Sequence, residues 1–335
     1  MTTVGVIGGG QLGRMLGLAG IPLGLTFRFL DPAPDAPAGE VGELLVGAYD
    51  DPELLDRLAD GASAVTFEFE NVPLAAARRV GALPGPAALE ASQDRLAEKR
   101  LFRRVGIPTT RFDDEVKTFP ALLKTRRLGY DGKGQQLVET RPVAGDDILE
   151  ELVSFERELS LLVVRGRDGD TRFYPLAQNV HRDGILRTSR APAVEAPQAQ
   201  AEAYATRLLD ELDYVGVLAL ELFEVDGELV ANEFAPRVHN TGHWTIEGSI
   251  TSQFENHLRA ILGLPLGSTA ARYREAVMVN VIGREPPREA ILGISGARLH
   301  VYGKQPRPGR KLGHVTLLDP TAASVWEVEQ LVDGD

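Results

Sequence analysis

Three short apolar runs near the N-terminus, at residues 4–7, 25–30 and 64–69, are separated by stretches of helical spacing. This alternation restricts the fold more than any other feature of the chain. A strand, a helix and a second strand in succession pack stably as parallel neighbours with the helix laid across one face. The first run breaks at Gly8-Gly9-Gly10, and Gln11-Leu12-Gly13-Arg14-Met15-Leu16 then opens a helical pattern. Ahead of the third run, Asp50-Asp51-Pro52 offers a capping carboxylate and a first-turn proline, which together start a helix. Pro84-Gly85-Pro86 interrupts any regular pattern, so the parallel unit should close near residue 85.

Residues 92–105 then read as an amphipathic helix stopped by Gly106, whose missing Cβ suits a left-handed position just past a helix end. The pattern changes to strands and glycine turns, with strands expected at 121–124, 136–139, 158–164 and 173–176. A helix over 197–212 leads to two strong strands, 216–225 and 228–234, joined by the tight turn Asp226-Gly227. Helical spacing returns over 250–262. From about residue 268 come strands at 276–282 and 297–302, a basic loop, and a terminal helix from Thr321. The class is α/β joined to α+β. Its divisions are a parallel, Rossmann-like unit over 1–95, a smaller unit over 96–175, and a larger one over 176–335 with a C-terminal lobe.

A chain of 335 residues, 43% hydrophobic and 25% charged, can bury a large core without covalent staples. It has no cysteine, which excludes disulfides, thiolate nucleophiles and cysteine-held metal centres. The net charge of −12 argues against a nucleic-acid partner, because phosphate backbones require a positive footprint. The N-terminus lacks a basic leader, and no run reaches the ~20 apolar residues of a membrane span, so a cytoplasmic location without a membrane partner is expected.

Several groups of residues carry possible chemistry. Gly8-x-Gly10-x-x-Gly13 sits between a strand and a helix, the context of a dinucleotide fingerprint, with Asp31 where a ribose-binding acid would stand. A plain tight turn, or a turn holding part of another phosphorylated substrate, fits equally. Lys124 ends an apolar strand and precedes a loop through Gly129, Gly132 and Gly134, which suits a polyphosphate cover of backbone N–H donors and point charges. Glu221 and Glu233 lie on the two strands joined by Asp226-Gly227. Flanked by apolar residues, they would repel unless a cation such as Mg²⁺ sat between them. The loop after Glu233 carries Arg237, His239, Asn240 and His243; no third His or Cys stands close by in sequence, so anion recognition is preferred to zinc. His181 fits a packed loop histidine as well as a site residue. Arg307, Arg310 and Lys311 form a basic turn suited to a phosphate monoester in an otherwise acidic protein.

These strings, in this order and spanning nearly the whole chain, resemble the ATP-grasp ligases, and among them the 5-(carboxyamino)imidazole ribonucleotide synthases. The resemblance rests on 8–14 (GGGQLGR), 67–72 (FEFENV), 129–135 (GYDGKGQ), 232–240 (NEFAPRVHN), 251–255 (TSQFE) and 309–314 (GRKLGH). It implies that ATP, bicarbonate and aminoimidazole ribonucleotide are joined through carboxyphosphate, with release of ADP and phosphate, and that the protein is a homodimer. It further implies that Arg95 and Lys124 contact ATP beneath a mobile loop of Gly129, Tyr130, Asp131, Gly132, Lys133, Gly134 and Gln135. Glu150, Glu151, Leu152 and Val153 would form the adenine-reading hinge, Glu158 would meet the ribose, and His181 and Asn232 would also touch the nucleotide. Glu221 and Glu233 would hold Mg²⁺, or Mn²⁺ in its place. Gly10, Gln11, Leu12, Glu70, Asn71, Arg187, Arg310 and Lys311 would receive the acceptor, and Lys124, Tyr130, Asp131, Arg237 and His239 would act on the reacting groups. Two positions depart from the family pattern: Leu128, where many members have glycine, and Glu151 in the hinge. Another purine-pathway ATP-grasp ligase, a nicotinamide-dependent oxidoreductase using Gly8 to Gly13, and a non-catalytic nucleotide binder are the competing readings.

Overall fold

The structure, a computed structural model, describes residues 2–129, 134–142 and 145–332. The N-terminal runs become parallel strands: β1 (Thr2–Ile7), β2 (Leu25–Asp31), β3 (Glu43–Val46) and β4 (Ala62–Phe67), in the order β3-β2-β1-β4. Alternation along β1 covers both faces. Val4 and Val6 pack with Leu12, Met15 and Leu16 of the helix Gln11–Gly20, whereas Ile7 packs with Leu55 and Leu58 of the helix Pro52–Ala59. Asp51 caps the latter helix by accepting the N–H groups of Glu53 and Leu54. β3 escaped the sequence reading: it is a four-residue edge strand with one buried residue, Leu45, too short to show a period.

Two further sheets follow. The small one is antiparallel, from β5 (Ala121–Lys124), β6 (Gln135–Val138) and β7 (Ile148–Glu151), ordered β6-β5-β7. The large one contains β8 (Arg157–Arg165), β9 (Thr171–Phe173), β10 (Ala177–Arg182), β11 (Ile185–Ala191), β12 (Gly216–Val225), β13 (Glu228–Ala235), β14 (Ala276–Ile282), β15 (Ala297–Val301) and β16 (Lys311–Leu318). Its order is β13-β12-β8-β10-β11-β14-β16-β15, with β9 paired to β8. The division placed near residue 175 therefore shifts. β8 and β9 precede that point yet belong to the large sheet, so the small unit ends at the connection after β7. The C-terminal lobe continues the same sheet, since β14 pairs with β11.

Other expectations change locally. The helix expected over 92–105 is two helices, Pro86–Ser92 and Arg95–Arg104, because Asp94 accepts from the N–H groups of Leu96 and Ala97 and caps a new start. The helix expected from residue 250 starts at Gln253, capped by Ser252. Of the strand expected over 173–176 only Phe173 is in a strand, as the last residue of β9, and 174–176 connect it to β10. The basic turn is split: Lys311 and His314 belong to β16, and the His314 side chain is fully buried. Among the described residues no helix is long and apolar enough to cross a membrane.

Candidate active site

The Asp226-Gly227 turn has φ of +52° and +77°, the left-handed pair that a two-residue hairpin needs, and it sets β12 against β13. From the turn inward, Leu229 and Ala231 face the core beneath the helix Gln198–Glu211. Strict alternation would send Glu233 into that core. A bulge prevents it: Leu222 pairs with Ala231, but the next residue, Glu221, pairs with Glu233, leaving Asn232 over. The side-chain period is two, so one extra residue exchanges the faces. Phe234 enters the core, and Glu233 emerges opposite Glu221 on the other face. Burial, and then the neighbouring charge of Glu233, push the Glu221 carboxyl up to about 7.

The helix Arg95–Arg104 grips this bulge. Residues 95, 98 and 99 share one helix face at i, i+3 and i+4. Arg95 Nη1 donates to Glu233 Oε2 at 2.8 Å, Glu98 Oε1 accepts from the Phe234 N–H at 2.7 Å, and Lys99 Nζ donates to the Asn232 carbonyl at 2.9 Å. Backbone groups freed by the bulge thus regain partners. Burial, reinforced by Glu233, raises the Glu98 carboxyl well above its ordinary range. The same helix start is tied to the loop after β5, where Arg126 and Arg127 meet the Asp94 carboxylate at 2.5 and 3.2 Å and Arg95 Nη2 reaches the Gly129 carbonyl at 3.3 Å.

Below that loop, Lys124 and Lys99 share one carboxylate oxygen, Glu150 Oε2, at 3.0 and 3.2 Å, and Thr110 donates to it at 3.1 Å. Burial favours protonation of Glu150, but the two ammonium groups outweigh it and hold the carboxyl at about 2.

A cavity of about 340 Å³ opens over this face of the large sheet. Its lining brings together Lys124, Gly129 and Gln135 from the small sheet, Glu158, His181, Glu221, Asn232 and Glu233 from the large one, and Arg95. Arg237, His239, Lys311, Glu70 and Asn71 complete one side. Arg237 Nε donates to Glu70 Oε2 at 2.5 Å, joining the end of the N-terminal sheet to the loop after β13. Burial disfavours the Glu70 charge, yet the Arg237 guanidinium overcomes it and keeps the carboxyl below its ordinary range. His239 lies 3.3 Å from Glu221 through Nε2, while its Nδ1 accepts from the Thr241 N–H at 3.4 Å. That assigns the proton to Nε2, and burial followed by Arg237 keeps the ring neutral. Glu158 bonds to His181 Nδ1, which raises the His181 pKa against the opposing effect of burial.

Other expected site residues lie elsewhere. Glu150, Glu151, Leu152 and Val153 are absent from the lining; the Glu150 side chain turns under Lys124, and Glu151 pairs with Arg111 at 3.5 Å. Gly134 has φ +74°, and its carbonyl accepts from Thr125 at the mouth of β5 and β6. Tyr130, Asp131, Gly132 and Lys133 lie outside the described residues. Gly10, Gln11, Leu12, Arg187 and Arg310 are not in the lining; Leu12 is a core residue, Gln11 accepts from Lys304, and Arg310 donates to the Gln305 carbonyl.

The glycine turn also departs from its expected use. The N–H groups of Gly10 and Gly13 donate to the buried Glu68 carboxylate at 2.5 and 2.7 Å, and that of Gly9 to Asp31 at 2.8 Å. A Cβ on Gly8 or Gly10 would stand 2.3 or 2.5 Å from Glu68 atoms, so these glycines admit an internal carboxylate. The donors that a dinucleotide pyrophosphate or a substrate phosphate would use are taken, and Asp31 is occupied as their support.

Sequence reasoning missed Glu98 and Lys99, which look like ordinary charged helix positions until their partners are known. It also missed Phe155 and Phe223, whose rings stack at 4.7 Å on the cavity wall. The alternation of Phe223 with Glu221 on β12 was the available signal. Leu128 has φ +64°, a region that glycine enters without strain, which accounts for the glycine of the family pattern.

Models of three families match consecutive parts of the chain: the ribonucleotide synthetase preATP-grasp domain over 1–93, the ATP-grasp domain over 109–254, and the phosphoribosylaminoimidazole carboxylase C-terminal domain over 276–327. The chain is 50% identical to N5-carboxyaminoimidazole ribonucleotide synthase of Pseudomonas aeruginosa, with 99% of both sequences covered. Its fold matches the crystal structure of N5-carboxyaminoimidazole ribonucleotide synthetase from Thermus thermophilus with a TM-score of 0.93 and 53% identity, covering 99% of each chain. It also matches the Aspergillus clavatus N5-carboxyaminoimidazole synthase in complex with ADP and 5-aminoimidazole ribonucleotide, with a TM-score of 0.87, 31% identity, and coverage of 99% and 98%. With relatives this similar along its full length, the chain belongs to the N5-carboxyaminoimidazole ribonucleotide synthase family of ATP-grasp ligases.

Proposed function

We propose that the protein carboxylates aminoimidazole ribonucleotide with bicarbonate at the expense of ATP, as its family name describes, through carboxyphosphate. A bicarbonate oxygen attacks the γ-phosphorus and the bond to ADP breaks. The substrate amine then attacks the carboxyl carbon, the carbon–oxygen bond to phosphate breaks, and the amine gives up a proton. The observation that carries this reading is the cavity in which Glu221 and Glu233 stand in register while Lys124, Arg237 and Lys311 surround them with cationic side chains.

The donor set fits a hard cation: two carboxylates on one sheet face, one of them pushed up by burial and then by the other, invite a charge between them. Among the described residues there is no group of three or more His, Asp or Glu able to hold a metal, which suits Mg²⁺, whose remaining ligands come from water and phosphate oxygens. Mn²⁺ would bind the same oxygens. When bound, the ion neutralises phosphate charge during transfer. Lys124 and Arg95 would orient the phosphates, and Phe155 with Phe223 would offer an aromatic wall. Arg237, fixed by Glu70, would hold the bicarbonate anion, neutral His239 would donate its Nε2–H to a reacting oxygen, and the departing phosphate would take the proton that the amine releases. Lys311 would meet the phosphate of the acceptor. A homodimer in the cytoplasm is the assembly that the resemblance suggests.

Phosphate release from ATP tests the reading. Release should require bicarbonate and rise when aminoimidazole ribonucleotide is added, with a carboxylated product that decomposes in acid. Release driven instead by formate or glycine with another ribonucleotide would replace it.

A further inference from the structure

We infer that Lys99, a residue outside the cavity lining, is a positioning residue that keeps the charge of Lys124 available to nucleotide phosphates by sharing the Glu150 carboxylate with it. The inference rests on the nucleotide-binding part of the function proposed above.

The argument is one of charge and place. Lys99, Lys124 and Glu150 are 1%, 7% and 1% exposed, so none of the three is relieved by bulk water. Two ammonium groups meet one carboxylate oxygen, and the cluster carries one positive charge in excess. Nearby, Arg95 is already paired with Glu233. Lys99 has used its three donors, on Thr110 Oγ1 at 3.0 Å, the Asn232 carbonyl and Glu150 Oε2. Lys124 meets a single acceptor, Glu150, among the described residues, and Lys124 is the member of the cluster that lines the cavity. The excess charge is therefore presented at Lys124. Were Lys99 absent, Glu150 and Lys124 would form a neutral buried pair. An incoming phosphate would then compete with Glu150 for the ammonium group, in surroundings where a carboxylate stripped of its partner is costly.

The test compares Lys99→Met, Lys99→Met/Glu150→Gln and the parent protein by direct titration with ADP, alongside thermal melts. ADP binding needs neither bicarbonate nor acceptor, so it separates this inference from the carboxylation reading. A parent protein that binds ADP but lacks acceptor-dependent phosphate release would overturn only the latter. Lys99→Met should bind ADP on the order of tenfold more weakly, the scale of one charge-assisted contact. Removing the Glu150 charge as well should restore most of that loss, because Lys124 is again unneutralised. Parent-like binding by a folded Lys99→Met protein sinks the inference. So does a double variant that stays as weak as the single one, since Lys99 would then be a purely structural tie. If Lys99→Met does not fold, the double variant decides alone: affinity within about threefold of the parent supports the inference, and a tenfold loss refutes it.

Discussion

Glu233 shows how one side chain serves two neighbours of opposite demand. Its Oε2 accepts from Arg95 at 2.8 Å, and its strand pairing sets it against Glu221, which it helps push up to about 7. Glutamine at this position keeps the size and one acceptor for Arg95 while removing the charge that a cation needs. Glu233→Gln should therefore fold with an ordinary melt and lose about 10²–10³-fold in ADP formation, the range found when charge stabilisation is removed from a reacting centre. ADP formation close to the parent rate in a folded Glu233→Gln protein would remove Glu233 from the proposed metal site. Arg237 is held similarly, by Glu70 at 2.5 Å. Its place in the cavity thus depends on a residue 167 positions away in sequence.

At the scale of elements, the bulge at Asn232 decides which residues of β13 face the cavity, and the helix Arg95–Arg104 maintains it. The Phe234 N–H has the Glu98 carboxyl as its acceptor in a buried place. Glu98→Ala leaves that donor unpaired and should cost about 1–3 kcal/mol in chemical unfolding. Glu98→Gln retains the size and a carbonyl acceptor for that N–H, so most of the stability should remain. Equal losses for alanine and glutamine would mean that the charge of Glu98, and not its hydrogen bond, supports the strand.

Across the whole molecule, His257 of the helix Gln253–Leu262 binds two units together. Its Nδ1 accepts from the Val217 N–H of β12 at 3.1 Å, which leaves the proton on Nε2, 2.8 Å from the Thr66 hydroxyl of β4. Protonation would set a second N–H against that of Val217, and burial lowers the His257 pKa to about 4. Above pH 6.5 the ring is neutral both folded and unfolded, and no penalty exists. As the pH falls from 6.5 to 4 the unfolded chain takes up the proton first. The folded state then loses up to roughly 3 kcal/mol, about 2 kcal/mol of it by pH 5. His239, His243 and His314 are likewise lowered by burial and steepen the same limb. His257→Gln, which keeps a donor and an acceptor, should make the melting temperature fall less between pH 7 and pH 5. Parallel melting curves for variant and parent would show that the joint does not titrate.

Much of this molecule can be read from local pattern. The parallel N-terminal sheet follows from apolar runs alternating with helical spacing, and the β12–β13 hairpin, with Glu221 and Glu233 on adjoining strands, from Asp-Gly. Each depends on neighbours within a few residues, where periodicity and turn chemistry act. The face on which Glu233 emerges is different in kind: plain alternation sends it into the core, and the bulge that prevents this is held by Arg95, Glu98 and Lys99 from a distant helix. The glycine turn at Gly8 to Gly13 has a phosphate-binding sequence, yet Glu68, 55 positions from Gly13, fills it with a carboxylate. Charged side chains have no periodic signature of their partners, because Coulomb attraction and hydrogen bonding depend on distance in space and not along the chain. For that reason the strands and turns were legible in the sequence, whereas the charge balance around Lys124, the joint at His257 and the closing of the site by Glu70 and Arg237 exist only once the three sheets pack together.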